Sequence, residues 1–442
     1  MSRPSNSVRI PARYTAAGSL FTIFMISASV VINPFSAAAE PPATTGEYQD
    51  FNPGKSSVGG EWIQAIEIKK PELRTEIKGD VVVEFKATGM TSARALCWQQ
   101  PTKEEPNPSG HDCIVAAGIK LDAEGNGSFV FPADKFPSGP ISLRILALNE
   151  AGQRDMREIQ LYNLGGIVWN QGIPKSDPPA TRGMKLVFSD DFDGPLSISK
   201  TGEGTRYYSH KPAGGDFSGW PFSDFESPQN PFSQKGTFLR IHASKKADAR
   251  KGSAGLISSV GKDGTGFYAT PPFYMECRFT AQSAPGTWAA FWTLTKNAVV
   301  AKGSPGDELD VVEAYGGVGK GNPNHPGYSV TSHFWRQTSP DGQKLKNINK
   351  RISMSEVGSK SYWSTTFHTY AVKVTDAETT YFLDDIEVLK HPTGPVSKAE
   401  PAFFMINYAI GGISGWKIDL EREGNASDMW VDYVRVYQGE FR

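Results

Sequence analysis

Runs of alternating hydrophobic and polar residues recur along the chain, and they predict β-strands. Between positions 275 and 281 the odd-numbered residues are Met, Cys, Phe and Ala, whereas the even-numbered residues are Glu, Arg and Thr. This alternation gives a strand one hydrophobic face. Hydrophobic residues also recur at every second position in 370–374 and 404–410, and no long stretch keeps the 3.6-residue period of a helix. We therefore predict an all-β protein with few, short helices.

Two linkers rich in Pro, Gly and Ser, residues 40–60 and 165–183, separate two groups of predicted strands. Residues 61–164 hold short strand patterns with turn signals such as Gly125-Asn126-Gly127. This pattern is typical of a small β-sandwich that resembles immunoglobulin or fibronectin type III modules. We expect this module to act as a spacer, with carbohydrate contact as the alternative. Residues 184–442 are long enough for a large two-sheet sandwich.

The first 39 residues have the order of features of a secretory signal peptide. Arginines at positions 3, 9 and 13 precede an apolar run at 20–32, and Ala37-Ala38-Ala39 follows. A basic start, a short apolar core and small residues together direct export. An uncleaved N-terminal anchor is the alternative. We expect a secreted protein, extracellular or periplasmic, with no membrane segment in its mature form.

The charge balance argues against one class of partner. The 442 residues include 46 Lys+Arg and 47 Asp+Glu, a formal net charge of −1. Proteins that bind nucleic acid need a basic surplus to displace counterions. We therefore expect no nucleic-acid partner.

The three cysteines fall into two groups. Cys97 and Cys113 lie within one predicted module, where export permits a disulfide whose geometry the sequence does not establish. Cys277 lies on the hydrophobic face of its strand, so we predict a buried free thiol.

The most informative segment is a strand that carries three acids, Gly306-Asp307-Glu308-Leu309-Asp310-Val311-Val312-Glu313-Ala314-Tyr315-Gly316. On a regular strand Glu308 and Asp310 share one face, while Glu313 points to the other. A one-residue bulge between Asp310 and Glu313 would bring all three acids to the same face. We expect such a bulge.

Crowded acids repel one another, so they cost stability unless one is protonated or a ligand uses them. Glycoside hydrolysis uses such a set, because one carboxylate attacks the anomeric carbon while a second, protonated, acid supplies the leaving oxygen with a proton. An acidic, solvated strand edge is the alternative. The apolar neighbours Leu309, Val311 and Val312 favour the catalytic interpretation.

The acid segment resembles the signature of glycoside hydrolase family 16, in the bulged subgroup that includes bacterial laminarinases, agarases, porphyranases and carrageenases. Four further segments resemble that family: 186–194, 286–292, 407–412 and 430–437. The resemblance implies a concanavalin A-like β-jelly-roll sandwich with a cleft on its concave face. It also implies that Glu308 is the nucleophile, Asp310 the assisting carboxylate and Glu313 the acid/base.

A sugar-binding cleft combines aromatic platforms with polar groups, and several residues fit that description. Trp288 and Trp292 share one strand face, with core packing as the alternative. His333 shares a face with Trp335, and the family often has a histidine that touches the sugar near the acid/base. The predicted substrate-binding residues are Trp288, Trp292, His333, Trp335, Asn407 and Trp416.

Many members of the family carry a structural calcium ion on the convex face. The positions that the resemblance implies for it are the Gly236 carbonyl, Asp432 and a group near Asp191. Dispersed oxygen ligands suit calcium. A strand-capping role for Asp432 is the alternative. No cofactor is expected for catalysis.

These observations together predict a secreted, retaining endo-β-glycanase that acts as a monomer on a polysaccharide. A β-galactan such as agarose or porphyran and a β-1,3-glucan both remain open as substrates. A transglycosylase and a non-catalytic carbohydrate-binding protein on the same fold are the competing interpretations.

Overall fold

Strands are the main regular secondary structure in the part of the chain that the structure describes. The structure is a computed structural model, and it describes residues 61–102, 113–212, 214–301, 303–317, 327–359, 361–412 and 417–439. The signal-like segment 1–39 and the linker 40–60 lie outside these residues. The strands before residue 165 are β1 (Ile66–Lys70), β2 (Glu76–Ile77), β3 (Asp80–Ala87), β4 (Ser92–Cys97), β5 (Ile114–Ile119), β6 (Asn126–Pro132), β7 (Gly139–Leu148) and β8 (Arg154–Asn163).

A second series of strands runs from residue 184 to residue 439. They are β9 (Met184–Asp190), β10 (Ile198–Ser199), β11 (Tyr207–Tyr208), β12 (Phe232–Lys235), β13 (Phe238–Ser244), β14 (Gly255–Ser258), β15 (Phe273–Ala281), β16 (Thr287–Thr295), β17 (Gly306–Tyr315), β18 (Tyr328–Trp335), β19 (Ile348–Ile352), β20 (His368–Val374), β21 (Glu378–Leu383), β22 (Ile386–Pro392), β23 (Ala402–Ile410) and β24 (Ala426–Gly439).

Helices are short in the described ranges, as the hydrophobic pattern predicts. They are α1 (Asn297–Val300) and single 3₁₀ turns at Ala133–Lys135, Pro179–Thr181 and Glu421–Glu423. Within the same ranges, no helix has the length and apolar character needed to cross a membrane.

The strands before residue 165 form two sheets, in the orders β1-β3-β6 and β2-β8-β7-β4-β5. Their facing hydrophobic side chains make one core, with Val83, Phe85 and Phe131 from the first sheet and Leu143 and Ile159 from the second. Alternate residues of β3 are buried, as expected for a strand with one covered face. The assignment of this part to the immunoglobulin-like modules stays a prediction.

The remaining strands form two larger sheets that pack face to face. The first has the order β10-β11-β14-β23-β16-β17-β18-β19, and we call it the β17 sheet. The second has the order β12-β13-β24-β15-β20-β21-β22, with β9 also paired to β24. The aromatic ring of Tyr328 on β18 meets that of Tyr370 on β20 across the layer, with centroids 5.3 Å apart. This architecture confirms the predicted all-β sandwich.

The module before residue 165 is joined to the large sandwich by shared core and by charged contacts. Trp98, Leu146 and Met156 of the module belong to the same hydrophobic core as the large sandwich. Arg157 forms a buried ion pair with Glu423. An interface that contains part of the core holds the two parts together more firmly than a flexible spacer would.

All three cysteines are buried, and none of them forms a disulfide within the described residues. The prediction of a buried free thiol is confirmed for Cys277. Cys97 and Cys113 are also thiols in this structure, and burial raises the pKa of Cys97 well above its ordinary value.

Candidate active site

One extra residue interrupts the pairing of β17 with both of its neighbours. On the β18 side, Asp310 pairs with Thr331 and Glu313 pairs with Ser329, so three steps along β17 match two along β18. The register with β16 shifts at the same place, between Phe291 and Trp292. This is the bulge that the spacing of the acids led us to expect.

The bulge brings the three acids to one face of the β17 sheet. Glu308, Asp310 and Glu313 stand opposite residues 333, 331 and 329 of β18, and these alternate positions share a face. The pairing with residues 294, 292 and 290 of β16 gives the same result. We call this surface the acid face.

Burial and mutual repulsion favour the protonated forms of these acids. Burial raises the pKa of Glu308, and the neighbouring Asp310 raises it further. Burial also raises the pKa of Asp310 well above its ordinary value, with a further contribution from Glu313. Burial likewise raises the pKa of Glu313. A set of this kind can retain a proton at neutral pH, which a general acid requires.

Aromatic donors hold the two glutamates in place. The indole Nε1 of Trp335 donates to Oε2 of Glu308 at 3.2 Å. The hydroxyl of Tyr315 donates to Oε1 of Glu313 at 2.9 Å. Sequence analysis did not single out Tyr315, although it lies two residues after Glu313 and therefore shares its face.

His333 faces Asp310 and stacks on Trp335. Its Nε2 lies 3.2 Å from Oδ2 of Asp310 and 3.9 Å from Oε1 of Glu308. The rings of His333 and Trp335 are nearly parallel, with centroids 4.9 Å apart. Asn347 contacts the other ring nitrogen, since its Nδ2 is 2.7 Å from Nδ1. The structure thus places His333 and Trp335 beside the acids, and their role in substrate binding stays a prediction. Asn347 was not among the predicted residues.

A metal ion could also bind between Glu308, Asp310 and His333, because their potential ligand atoms lie within 4.8 Å of one another. Within the described ranges, this is the group of residues with such spacing. The 3.2 Å between Nε2 and the Asp310 oxygen is a hydrogen-bond distance. A shared proton accounts for this contact, so we assign no metal here.

Trp288 and Trp292 lie on the acid face but are covered. Each is less than 9% exposed. The ring of Phe217 meets both edge-on, with centroids 5.3 Å from Trp288 and 5.8 Å from Trp292. Both tryptophans therefore pack beneath Phe217, and the exposed Trp335 is the more open platform. Phe217 was missed because it lies in a loop without periodic pattern.

Asn407 does not reach the surface of the acid face. It is fully buried, its Oδ1 accepts a hydrogen bond from Nε1 of Trp292 at 2.8 Å, and its amide donates to the carbonyl of Trp288. The amide thus supports the two tryptophans, and this contradicts our prediction of a direct sugar contact. Trp416 lies outside the described residues.

Lys211 adds a positive charge near the acids. Its Nζ lies 5.4 Å from the centre of the Phe217 ring. Burial lowers the pKa of Lys211, while the charge of Glu308 opposes that shift. A cation in this position can stabilise the ionised form of Glu308.

Two of the residues predicted to bind calcium, Asp432 and Gly236, have other partners. Burial raises the pKa of Asp432, and the charge of the third predicted residue, Asp191, adds to that rise. The Asp432 carboxylate pairs with Arg278 and accepts a hydrogen bond from the Gly172 amide at 2.9 Å. The Gly236 carbonyl accepts from Gln234 at 3.2 Å. Because the Arg278 guanidinium already pairs with the buried carboxylate of Asp432, we propose that this residue does not bind a calcium ion.

Comparisons with known proteins find relatives of the part of the chain that carries the acid face. Residues 231–432 match the family model described as glycosyl hydrolases family 16. Endo-1,3-1,4-beta-glycanase ExsH of Rhizobium meliloti is 27% identical over 215 residues, which are 47% of this chain and 40% of the relative. Glucan endo-1,3-beta-glucosidase A1 of Niallia circulans is 28% identical over 297 residues, 59% of this chain and 39% of the relative.

Among solved structures, the laminarinase from Rhodothermus marinus is 23% identical, with a TM-score of 0.45, and the match covers 58% of this chain and 98% of that one. The chain spans between 39% and 52% of the length of the first three curated relatives. The matched region contains β17 and its three acids, in agreement with the resemblance noted in the sequence. Residues 231–432 therefore belong to glycosyl hydrolases family 16.

Proposed function

We propose that the protein is an endo-acting β-glycanase that hydrolyses a β-1,3-linked or mixed β-1,3-1,4-linked glucan with net retention of configuration. The observation that carries the proposal is the bulge in β17, which gives Glu308, Asp310 and Glu313 a common face. A purely sugar-binding protein would have no use for three repelling carboxyl groups at that place.

In the first step, the ionised Glu308 attacks the anomeric carbon. A bond forms between its carboxylate oxygen and that carbon, and the bond to the leaving sugar oxygen breaks. Glu313 transfers its proton to that oxygen, so the leaving chain departs as an alcohol. The hydrogen bond from Trp335 favours the ionised form of Glu308 that this attack requires.

In the second step, water replaces the enzyme at the anomeric carbon. Glu313, now ionised, takes a proton from the water while the water oxygen bonds to the anomeric carbon. The ester bond between that carbon and Glu308 breaks in the same step. Two displacements at one carbon restore the original configuration. Tyr315 holds Glu313 in position in both steps through its hydrogen bond.

The names of the relatives favour a glucan over a galactan. Two relatives are named endo-1,3-1,4-beta-glycanases and a third a glucan endo-1,3-beta-glucosidase. Trp335 offers an exposed ring on which the apolar face of a glucose unit can stack. We further propose that the protein is exported, on the basis of the signal-like pattern in residues 1–39, and that it acts as a monomer.

The experiment is the release of reducing ends from a panel of laminarin, mixed-linkage glucan, agarose, porphyran and carrageenan. We expect the wild type to release reducing ends from the two glucans. Glu308→Gln should lose this activity while its circular dichroism spectrum stays unchanged. Release from agarose or porphyran alone would replace glucan with galactan. No release from any polymer would support the binding-protein alternative. Products longer than the starting oligosaccharide would indicate transglycosylation.

A further inference from the structure

Asn347 is oriented by two hydrogen bonds, and one of them fixes which end of its amide faces His333. The backbone N–H of Phe334 donates to Oδ1 of Asn347 at 3.3 Å. The Nδ2 end of the amide is therefore the one that lies 2.7 Å from Nδ1 of His333. The register of β18 with β19 explains this proximity. Ser332 pairs with Ile348, the first residue of β19, so Asn347, which comes just before it, lies opposite His333.

This orientation selects one tautomer of His333. An amide NH₂ group can only donate, so Nδ1 of His333 must accept and carries no proton. The ring proton of the neutral imidazole is then on Nε2, which faces Oδ2 of Asp310 at 3.2 Å. The neutral ring can therefore donate a hydrogen bond to Asp310 without bearing a charge.

The opposite tautomer would aim a lone pair at the acids. Oxygens of Asp310 and Glu308 lie 3.2 Å and 3.9 Å from Nε2, and when these carboxylates are ionised, repulsion between lone pairs would turn the ring away. The ring would then lose its stacking on Trp335, whose indole positions Glu308. Both acids thus depend on the proton position that Asn347 sets.

We propose that Asn347 is a positioning residue of this active site, which acts through His333 by keeping its ring proton on Nε2, directed at Asp310. The part of this inference that concerns catalysis rests on the proposed glycanase function. The part that concerns the tautomer does not. The first measurement below therefore needs no substrate.

The direct test is long-range proton–nitrogen NMR on protein labelled with ¹⁵N-histidine. The His333 signals are identified by their loss in His333→Gln. At neutral pH we expect the Nε2–H tautomer in the wild type, and a proton on Nδ1 in Asn347→Asp, whose carboxylate can only accept. A wild-type ring protonated on Nδ1, or on both nitrogens, would overturn the proposal.

The kinetic test compares Asn347→Ala with Asn349→Ala, a matched change two residues further along the same edge. Asn347→Ala is expected to lower kcat about 10- to 100-fold, with little change in KM. This is the scale of the hydrogen bond from His333 to the ionised Asp310, which the other tautomer would lose. Asn349→Ala should keep wild-type kcat. In a His333→Ala background, Asn347→Ala should cause almost no further loss.

Two outcomes distinguish failure of this inference from failure of the proposed function. If the wild type cleaves glucan but Asn347→Ala and Asn349→Ala behave alike, or the losses at 333 and 347 are fully additive, Asn347 has no role through His333. If no polymer is cleaved while the NMR shows the Nε2–H tautomer, the glycanase function fails and the geometric inference stands.

Discussion

Nε1 of Trp335 lies 3.2 Å from Oε2 of Glu308 and donates a hydrogen bond to it. The same indole stacks on His333, so one exposed side chain connects two groups of the acid face. The hydrogen bond lowers the pKa of Glu308, whereas burial and the charge of Asp310 raise it. In the proposed mechanism Glu308 must be ionised to attack, so kcat/KM should rise as the pH rises through this pKa.

Trp335→Phe should move that rising limb to higher pH. Phenylalanine keeps an aromatic ring beside His333 but cannot donate, so the ionised form of Glu308 loses support. A hydrogen bond with a net contribution of about 1 kcal/mol corresponds to a shift of about 0.7 pH unit. The measurement is kcat/KM against pH for wild type and variant. A rising limb at unchanged or lower pH would contradict the assignment of this limb to Glu308.

Asp310→Asn should move the same limb in the opposite direction, to lower pH. The substitution removes the charge that, after burial, contributes most to raising the pKa of Glu308. We also expect a lower kcat, so the profile is recorded at higher enzyme concentration. A shift in the same direction as that of Trp335→Phe would show that Glu308 does not govern the limb.

Azide can assign the roles of the two glutamates. Each single alanine variant, Glu308→Ala and Glu313→Ala, should lose about 10²- to 10⁴-fold in activity on the polymer. With an aryl β-glycoside, azide added to Glu308→Ala should attack the anomeric carbon directly and give the α-glycosyl azide. In Glu313→Ala it should react with the glycosyl-enzyme and give the β-glycosyl azide.

The stereochemistry of both azide products can be read from the coupling of the anomeric proton by NMR. Reversed products would exchange the roles of Glu308 and Glu313. Wild-type turnover in either variant would remove that residue from the mechanism.

Calcium removal should leave stability unchanged. Asp432 is fully buried and pairs with Arg278 on β15, so a chelator should not change the Tm measured by calorimetry. A bound ion at a hundred times its Kd would instead add about 2.7 kcal/mol, and added calcium would then raise the Tm. Arg278→Ala is the informative companion, because it leaves a buried carboxylate unpaired and should cost about 3–5 kcal/mol.

Arg157→Ala should destabilise the whole protein rather than the module before residue 165 alone. Arg157 and Glu423 are both buried, and removing one partner of a buried ion pair costs about 3–5 kcal/mol. The measurement is urea unfolding, for which we expect a single transition. Lys70→Ala, which breaks an exposed pair with Glu84, is the control and should stay within about 1 kcal/mol of wild type. Separate transitions for the two parts would contradict the shared core.

The acid strand was predictable because its information is local. Alternation identified the strand, and three acids spaced as in residues 308–313 could share a face only through an extra residue. Whether a side chain is buried, in contrast, depends on residues that are distant in the sequence. Asn407 has the parity of the acid face, but its burial depends on the tryptophans above it and on Phe217, which arrives from a distant loop.

Contacts between distant segments account for the other differences. Arg278 and Asp432 lie 154 residues apart, and only the pairing of β15 with β24 brings them together. Asn347 follows an irregular stretch after β18, so no periodic pattern places it beside His333. Alternation reports which face a residue occupies, but not which partner from another strand reaches it.

The bulge also limits how the length of β17 can change. Deleting Val311 or Val312 would remove the extra residue and leave the three acids at alternate positions of a regular strand, still on one face. Deleting Leu309, by contrast, would make Glu308 and Asp310 adjacent, and adjacent residues of a strand point to opposite faces. Between the three acids, the bulge is therefore the one place where the loss of a codon would leave the reactive surface of β17 outward-facing.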